Sequence, residues 1–211
     1  MEITKGVHLL ESTKGSFVYL VLDANEPLLI DTGNPGRHLK IERELNELGV
    51  KLTDIAHLLL THSDVDHIGN AKSLKSASSA KLWAPKDDLP YIHRTQKPKG
   101  LRRLISATIK ADIPEIDAFY EPGQRIGQVE MIPTPGHTPG HVSFRYGDVL
   151  FTGDLVMSSR GKLKPSPGFL TEDKARLRQS IHEVGRLDFN YVCPAHGSPV
   201  RRGNLWDALM T

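Results

Sequence analysis

The sequence of 211 residues predicts an α+β fold, on three observations. Short runs rich in apolar, β-branched and aromatic residues recur along the chain, bounded by loops of Gly, Pro, Asn and Ser. Other stretches space their apolar residues at the period of an amphipathic helix. Several of the strand-like runs stop abruptly at a His or an Asp, so that chemistry-bearing side chains stand where regular structure ends.

In chain order, Val7 to Leu10 and Ser16 to Leu22 flank Ser12-Thr13-Lys14-Gly15 and predict an opening hairpin. Pro27 to Asp31 predicts a third strand, ended by Asp31-Thr32-Gly33-Asn34-Pro35-Gly36. From Arg37 to Leu48, Ile41, Leu45 and Leu48 lie at i, i+4 and i+7, and Gly49 can end that helix. Ile55 to Leu60 is nearly continuous in apolar residues, which suits a strand covered on both faces. Ile68 to Lys75 reads as helical, Lys81 to Ala84 and Arg125 to Ile132 as strands, and Val142 to Phe151 as a hairpin turning at Gly147-Asp148. Thr171 to Leu187 predicts a helix with Thr171 as N-cap, Glu172 and Asp173 near the positive end of its dipole, and Leu177, Ile181 and Val184 as its stripe. Tyr191 to Cys193 is a last short strand. Residues 85–120 are punctuated by Pro85, Pro90, Pro98 and Pro114, and carry a basic segment through Arg103. That segment is expected to be either a solvated helical connection or a lid meeting an anionic substrate.

Composition narrows the class. The 27 Lys and Arg residues nearly balance the 25 Asp and Glu, so charge implies neither a nucleic-acid nor a membrane partner. A single Cys cannot form an internal disulfide and fits a reducing compartment. The N-terminus has no long apolar segment. The chain is therefore read as one cytoplasmic domain, 1–211, acting on a small molecule as a monomer or homodimer.

The densest cluster of potential ligands is Thr61-His62-Ser63-Asp64-Val65-Asp66-His67, directly after Leu58-Leu59-Leu60. The charges of Asp64 and Asp66 repel at this spacing unless a cation lies between them, so metal binding is the first expectation. Three more strand ends carry a ligand type: Ile132 to His137, Val149 to Asp154 and Val192 to His196. Cys193 has no evident base to activate it and is read as an inert thiol. His8, His38, His57, His93 and His182 lie outside these motifs and are read as surface or packing residues.

The set Asp31-Thr32-Gly33, Thr61 to His67, Thr134-Pro135-Gly136-His137-Thr138-Pro139-Gly140-His141, Thr152-Gly153-Asp154 and Ala195-His196-Gly197 resembles, in order and spacing, the five motifs of the metallo-β-lactamase superfamily. The Thr-Pro-Gly-His-Thr-Pro-Gly-His run and the short length are most similar to its small glyoxalase II-like branch. The resemblance implies a four-layer αββα sandwich with a dinuclear metal site at one edge of the two sheets. It implies His62 and His137 as ligands of a first metal, Asp66, His67 and His196 as ligands of a second, and Asp154 as the bridge. Asp31 corresponds to the aspartate that orients a ligand loop, and His141 to no ligand.

One position departs from the pattern. The family motif carries His where this chain has Asp64, which is expected either to replace that imidazole as an oxygen ligand or to point away and weaken the first site. A carboxylate hardens the site toward Fe or Mn, while Zn also accepts Asp at normal distances and is the first choice. The implied activity is hydrolysis of a thioester, an ester or lactone, or a phosphodiester by metal-activated water, with Asp66 also orienting the water and moving a proton. Only 14 residues follow Gly197, too few for the glutathione-binding extension of larger relatives. The alternative on this scaffold is an iron-dependent oxidoreductase of the flavodiiron or persulfide dioxygenase kind, and a third reading is a metal-binding module without catalysis.

Overall fold

The computed structural model describes residues 1–23 and 26–210. Seven strands form the first sheet in sequence order: β1 (Glu2–Thr4), β2 (Val7–Leu10), β3 (Val18–Val21), β4 (Leu28–Ile30), β5 (His57–Leu59), β6 (Lys81–Ala84) and β7 (Ala118–Phe119). The pairs from β1 to β4 are antiparallel and those from β4 to β7 parallel. Parallel neighbours need crossovers. These are supplied by α1 (His38–Glu47), α2 (Ala71–Ser78), and α3 (Leu89–Ile92) with α4 (Gly100–Thr108).

The second half of the chain contributes β8 (Arg125–Ile126), β9 (Val129–Pro133), β10 (Val142–Tyr146) and β11 (Val149–Gly153). A separate hairpin of β12 (Val156–Ser159) and β13 (Lys162–Pro165) follows, then α5 (Lys174–Gly185), β14 (Tyr191–Pro194) and β15 (Val200–Arg201). The second sheet has the order β15-β14-β11-β10-β9-β8, and α5 is the crossover that makes β11 and β14 parallel.

Three buried clusters define the layers. Leu29, Leu58, Leu60 and Leu82 pack with Ile41 and Leu45 of α1 and Leu74 of α2. The alternate residues Leu28, Ile30, Leu59 and Trp83 face the other way, against Met131, Phe144, Phe151 and Cys193 of the second sheet. Leu150 and Val192, on that sheet's outer face, pack with Leu177, Ile181 and Val184 of α5. The result is a four-layer αββα sandwich. It explains why β4 and β5 read as continuous apolar runs: with period-2 alternation and cover on both faces, no position is left for water.

Local differences from the sequence reading have local causes. The predicted strand from Arg125 to Ile132 is a hairpin, because Gly127 adopts φ +56° between β8 and β9. Thr171 is not the cap of the last helix; the Asp173 carboxylate accepts the Arg176 N–H at 2.9 Å, while the Thr171 hydroxyl donates to the Pro167 carbonyl. The helix α1 is capped from a distance, since Asn70 Oδ1 accepts the N–H groups of Arg37 and His38.

Phe151 is fully buried between the sheets, its ring centroid 5.2 Å from that of Tyr19. Phe151→Ala is expected to lower the unfolding free energy by about 3–5 kcal/mol in urea denaturation, the range for a cavity left by a buried ring.

Candidate metal centre

The chain ends of β5, β9, β11 and β14 deliver their loops to one edge of the sandwich. There His62, Asp64 and His137, then His62, His67 and Asp154, then Asp66, His67 and His196 form three overlapping groups, each with ligand atoms within 4.8 Å of one another. All seven side chains proposed from the sequence therefore meet, although 134 positions separate the first from the last.

Each imidazole is oriented by what holds its Nδ1. His67 Nδ1 lies 2.8 Å from Asp31 Oδ2, His62 Nδ1 2.9 Å from the Thr61 hydroxyl, and His137 Nδ1 3.0 Å from the Ser166 hydroxyl. His196 Nδ1 donates to the Gly15 carbonyl at 2.7 Å. In all four rings Nε2 is left facing the cluster. His62 Nε2, His67 Nε2 and Asp154 Oδ1 are buried without a hydrogen-bond partner among the described residues. Unsatisfied polar atoms of this kind are costly unless something binds them. Imidazole nitrogens and carboxylates are the donor set for a divalent transition metal, so the residues present fit such ions.

The loops are fastened at their backbones. Asp31 accepts the Thr61 N–H at 2.8 Å and stands at φ +61°, a conformation strained for a residue with a side chain. Asp88, fully buried, accepts the N–H groups of Ser63 and Gly140 and so ties two ligand loops together. Tyr19 donates its hydroxyl to the Pro194 carbonyl, two residues before His196. Gly153 leaves room that a Cβ would take, within 2.8 Å of His141 Nε2.

Charge sets the protonation pattern. Burial works against a charged His67, yet Asp31, Asp154 and Asp66 outweigh it and hold the pKa well above the ordinary value. Burial likewise opposes a charged His196, and Asp154 and Asp66 raise it to about 10. Asp154 is pushed up by burial but held well below the carboxylate range by His196 and His67. His141 differs: burial, then His62 and His137, lower it strongly. Its Nδ1 donates to the Thr134 carbonyl and its Nε2 accepts the Asp154 N–H at 3.0 Å, so both nitrogens are used in positioning Asp154.

Asp64 does not point away. Its Oδ2 lies 3.0 Å from His137 Nε2 and 3.6 Å from His62 Nε2. Its other side meets Arg102 of α4, whose Nε donates at 2.9 and 3.0 Å and whose Nη2 also pairs with Oδ1. Arg102 is 4% exposed and reaches Glu172 at 3.6 Å through Nη1. The basic segment is thus divided. Arg94, Lys97, Lys99 and Arg103 are exposed, while Arg102 is a buried counter-ion that the charge pattern of the segment does not single out. Ser166 and Asp88 were also not legible as site residues. Tyr91 faces Glu172, with its hydroxyl 3.5 Å away. Cys193 lies in the inter-sheet core, where burial pushes its thiol pKa up, and it is no nucleophile.

A cavity of about 180 Å³ opens over the cluster. Asp64, Asp66, His137, Asp154 and His196 form its polar floor, and Val65, Ile105, Ile109 and Leu170 its apolar wall.

The sequence profile of the metallo-beta-lactamase superfamily matches residues 13–196, and the chain belongs to this superfamily. An uncharacterized protein, YobT, of Bacillus subtilis is 32% identical over 201 residues, covering 87% of this chain and 83% of its own length. The hydroxyacylglutathione hydrolase GloC of Haemophilus influenzae is 29% identical over 140 residues, 64% of this chain and 63% of that protein. Among solved structures, a metallo-beta-lactamase family protein from Thermus thermophilus superposes with a TM-score of 0.79 at 20% identity, covering 99% of this chain and 79% of that one. TTHA1623 in a di-iron-bound form gives 0.69 at 26% identity, covering 89% and 90%. No helix among the described residues is long and apolar enough to cross a membrane.

A divalent cation held by His67 and His196 would need their Nε2 lone pairs, and the raised pKa of both rings keeps protons on them at neutral pH. Those protons must leave, so the apparent Zn²⁺ affinity is expected to rise with pH across the neutral range and toward about 10, where His196 loses its proton. Calorimetric titration in buffers of different ionisation enthalpy checks this; absence of net proton release contradicts the arrangement.

Proposed function

We propose that the chain is a metal-dependent hydrolase with a dinuclear site. His62, Asp64 and His137 hold one divalent cation, Asp66, His67 and His196 hold the other, and Asp154 lies between them. The observation that carries this reading is the split of the Asp154 carboxylate. Its Oδ1 lies 3.4 Å from His67 Nε2 and 3.3 Å from His196 Nε2, while its Oδ2 lies 3.5 Å from His137 Nε2. One carboxylate thus addresses both halves of the cluster.

Bound ions supply an activated water and polarise the substrate's carbonyl or phosphoryl oxygen. The protein's own residues do the rest. Asp66 Oδ2 lies 3.4 Å from His196 Nε2, and its carboxylate, about a quarter exposed, stands on the cavity floor. It is placed to take a proton from the attacking water and return it to the leaving group. The apolar wall of Val65, Ile105, Ile109 and Leu170 fits a compact apolar group.

A thioester of such an acyl group is the preferred substrate class, ahead of an ester, a lactone or a phosphodiester. The small apolar-walled cavity supports it, as do relatives named hydroxyacylglutathione hydrolase, whose glutathione moiety is not carried over to this chain. Zinc is the preferred metal. The three carboxylates of the set, and a similar structure solved with two irons, support iron as the second choice.

Asp154→Asn removes one anionic donor from between the two halves at nearly constant shape. It is expected to reduce bound metal below two per chain and to lower kcat/KM for the best thioester by about 100-fold or more. Elemental analysis and a panel of thioester, lactone and phosphodiester substrates provide the readout. Two metals retained with undiminished turnover sinks the assignment, and iron with oxygen uptake on a thiol persulfide replaces hydrolysis by redox chemistry.

A further inference from the structure

We propose that Asp64 and Arg102 form a latch coupling occupancy of the first metal position to the seating of α4 over the cavity, with Arg102 as the positioning residue of the Asp64 carboxylate. The inference rests on the metal-dependent reading above, and deepens it.

The unusual feature lies in α4. Of its nine residues only one is fully buried, and that one is charged: Arg102. Leu101 and Leu104 are 42% and 61% exposed, and Ile105 is half-buried. No side chain caps the helix at its N-terminus. A helix this short is unstable by itself in water and needs tertiary contacts to persist. The apolar contacts of α4 are few, so its placement depends on Arg102. Yet α4 supplies Ile105 and Ser106, and the residue just after it, Ile109, to the cavity over the metal cluster. It also lies against a second cavity of about 310 Å³, which shares Asp64, Val65, Ser106 and Ile109 with the first. The segment therefore separates the cluster from a larger space, and where it sits decides the shape of the cavity.

The partner of Arg102 is the one carboxylate that also belongs to the cluster. Asp64 offers Oδ2 to His137 and His62 and also to Arg102 Nε at 2.9 Å, while its Oδ1 faces the guanidinium alone, through Nε and Nη2. The pairing is the bidentate fork that arginine makes and lysine does not. Arg102 Nη1 adds a contact of 3.4 Å to the carbonyl of His137, itself a proposed ligand, and one of 3.6 Å to Glu172. Arg102 thereby grips the first half of the cluster at two points. In charge, the Asp64–Arg102 pair presents an oxygen donor without adding net negative charge, which leaves the electrostatics close to those of a neutral imidazole.

Coupling follows from the shared carboxylate. Asp66 and Asp154 have His67 and His196 beside them, whereas the cation paired with Asp64 is Arg102. His62, Asp64 and His137 would hold a cation at the first position, and the Asp64 carboxylate, shared with Arg102, would then be constrained from both sides. Whatever factor the seated helix adds to metal affinity, the metal must add to the seating of the helix.

Hydrogen exchange of the amides of residues 100–108, with and without Zn²⁺, tests this alongside metal stoichiometry. In the native chain, two bound Zn²⁺ are expected to slow exchange in this segment by about tenfold or more. Removing one member of a buried ion pair can unfold a protein, so the decisive variant is the double substitution Asp64→His with Arg102→Met. It should still bind two Zn²⁺, through a first site of three imidazoles, while the zinc-dependent protection of residues 100–108 disappears. Arg102→Lys should keep the charge but lose the fork, with protection reduced and one of the two Zn²⁺ held more weakly. Two Zn²⁺ bound by the native chain with no change in exchange overturns the latch and leaves the metal-dependent reading standing. Full zinc-dependent protection in the double variant also overturns it. Failure of the native chain to bind Zn²⁺, iron or manganese overturns both.

Discussion

Four imidazoles and three carboxylates share a largely buried cleft, and much of what surrounds them serves to hold them there. Burial makes each charge costly, and the carboxylates repel one another. The structure answers by fixing every imidazole from behind. Thr61, Asp31, Ser166 and the Gly15 carbonyl each occupy one Nδ1, which turns the remaining nitrogen inward. His141 performs the same service for Asp154 through the backbone N–H, with its own second nitrogen bonded to Thr134. What is left over is a set of inward-facing imidazole nitrogens and carboxylate oxygens, the donor types of a divalent transition metal.

The sandwich is the means of holding that arrangement in place. Parallel strands β4, β5 and β6 in one sheet, and β11 and β14 in the other, all end at the same edge, so their loops arrive together. Loops alone are pliable, and here they are bolted to one another. Asp88 joins the loop after β5 to the loop after β9, Tyr19 reaches across to the strand before His196, and Thr32 donates its hydroxyl to the carbonyl of His67. The positive φ of Asp31 fits this view, since strained backbone persists where surrounding contacts over-determine it.

Asp64 changes the balance of the site. A carboxylate in place of an imidazole brings negative charge into a cluster already holding Asp66 and Asp154, and Arg102 meets it with a buried guanidinium. The pairing ties the candidate site to a helix with one buried residue, Arg102. Asp64 is thereby linked to the wall of the cavity, to which α4 contributes Ile105 and Ser106.

Much of this was legible in the chain itself. The apolar runs at Leu28 to Ile30 and Leu58 to Leu60 announced strands covered on both faces, and the ligand residues stood where those and similar strands stopped, because period and termination are local properties. The spacing of Ile41 and Leu45, and of Leu177, Ile181 and Val184, likewise marked the helical faces that the sandwich buries. Local pattern was not enough for the choice of Asp173 over Thr171 as a cap, or for the break at Gly127, where one residue's backbone angle or one hydrogen bond decides between neighbouring options. It was silent on Asp88, Ser166 and Arg102. Their roles exist only across separations of 25, 29 and 38 residues, and nothing in a run of basic residues says which one will be buried. The sequence by itself determined where most strands and helices run, since that follows from hydrophobic period, while the four layers and the proposed donor set came from the resemblance of its motifs to the superfamily. The tertiary structure alone decided which way each donor faces and which charge answers Asp64, because those depend on which loops the folded sheets bring together.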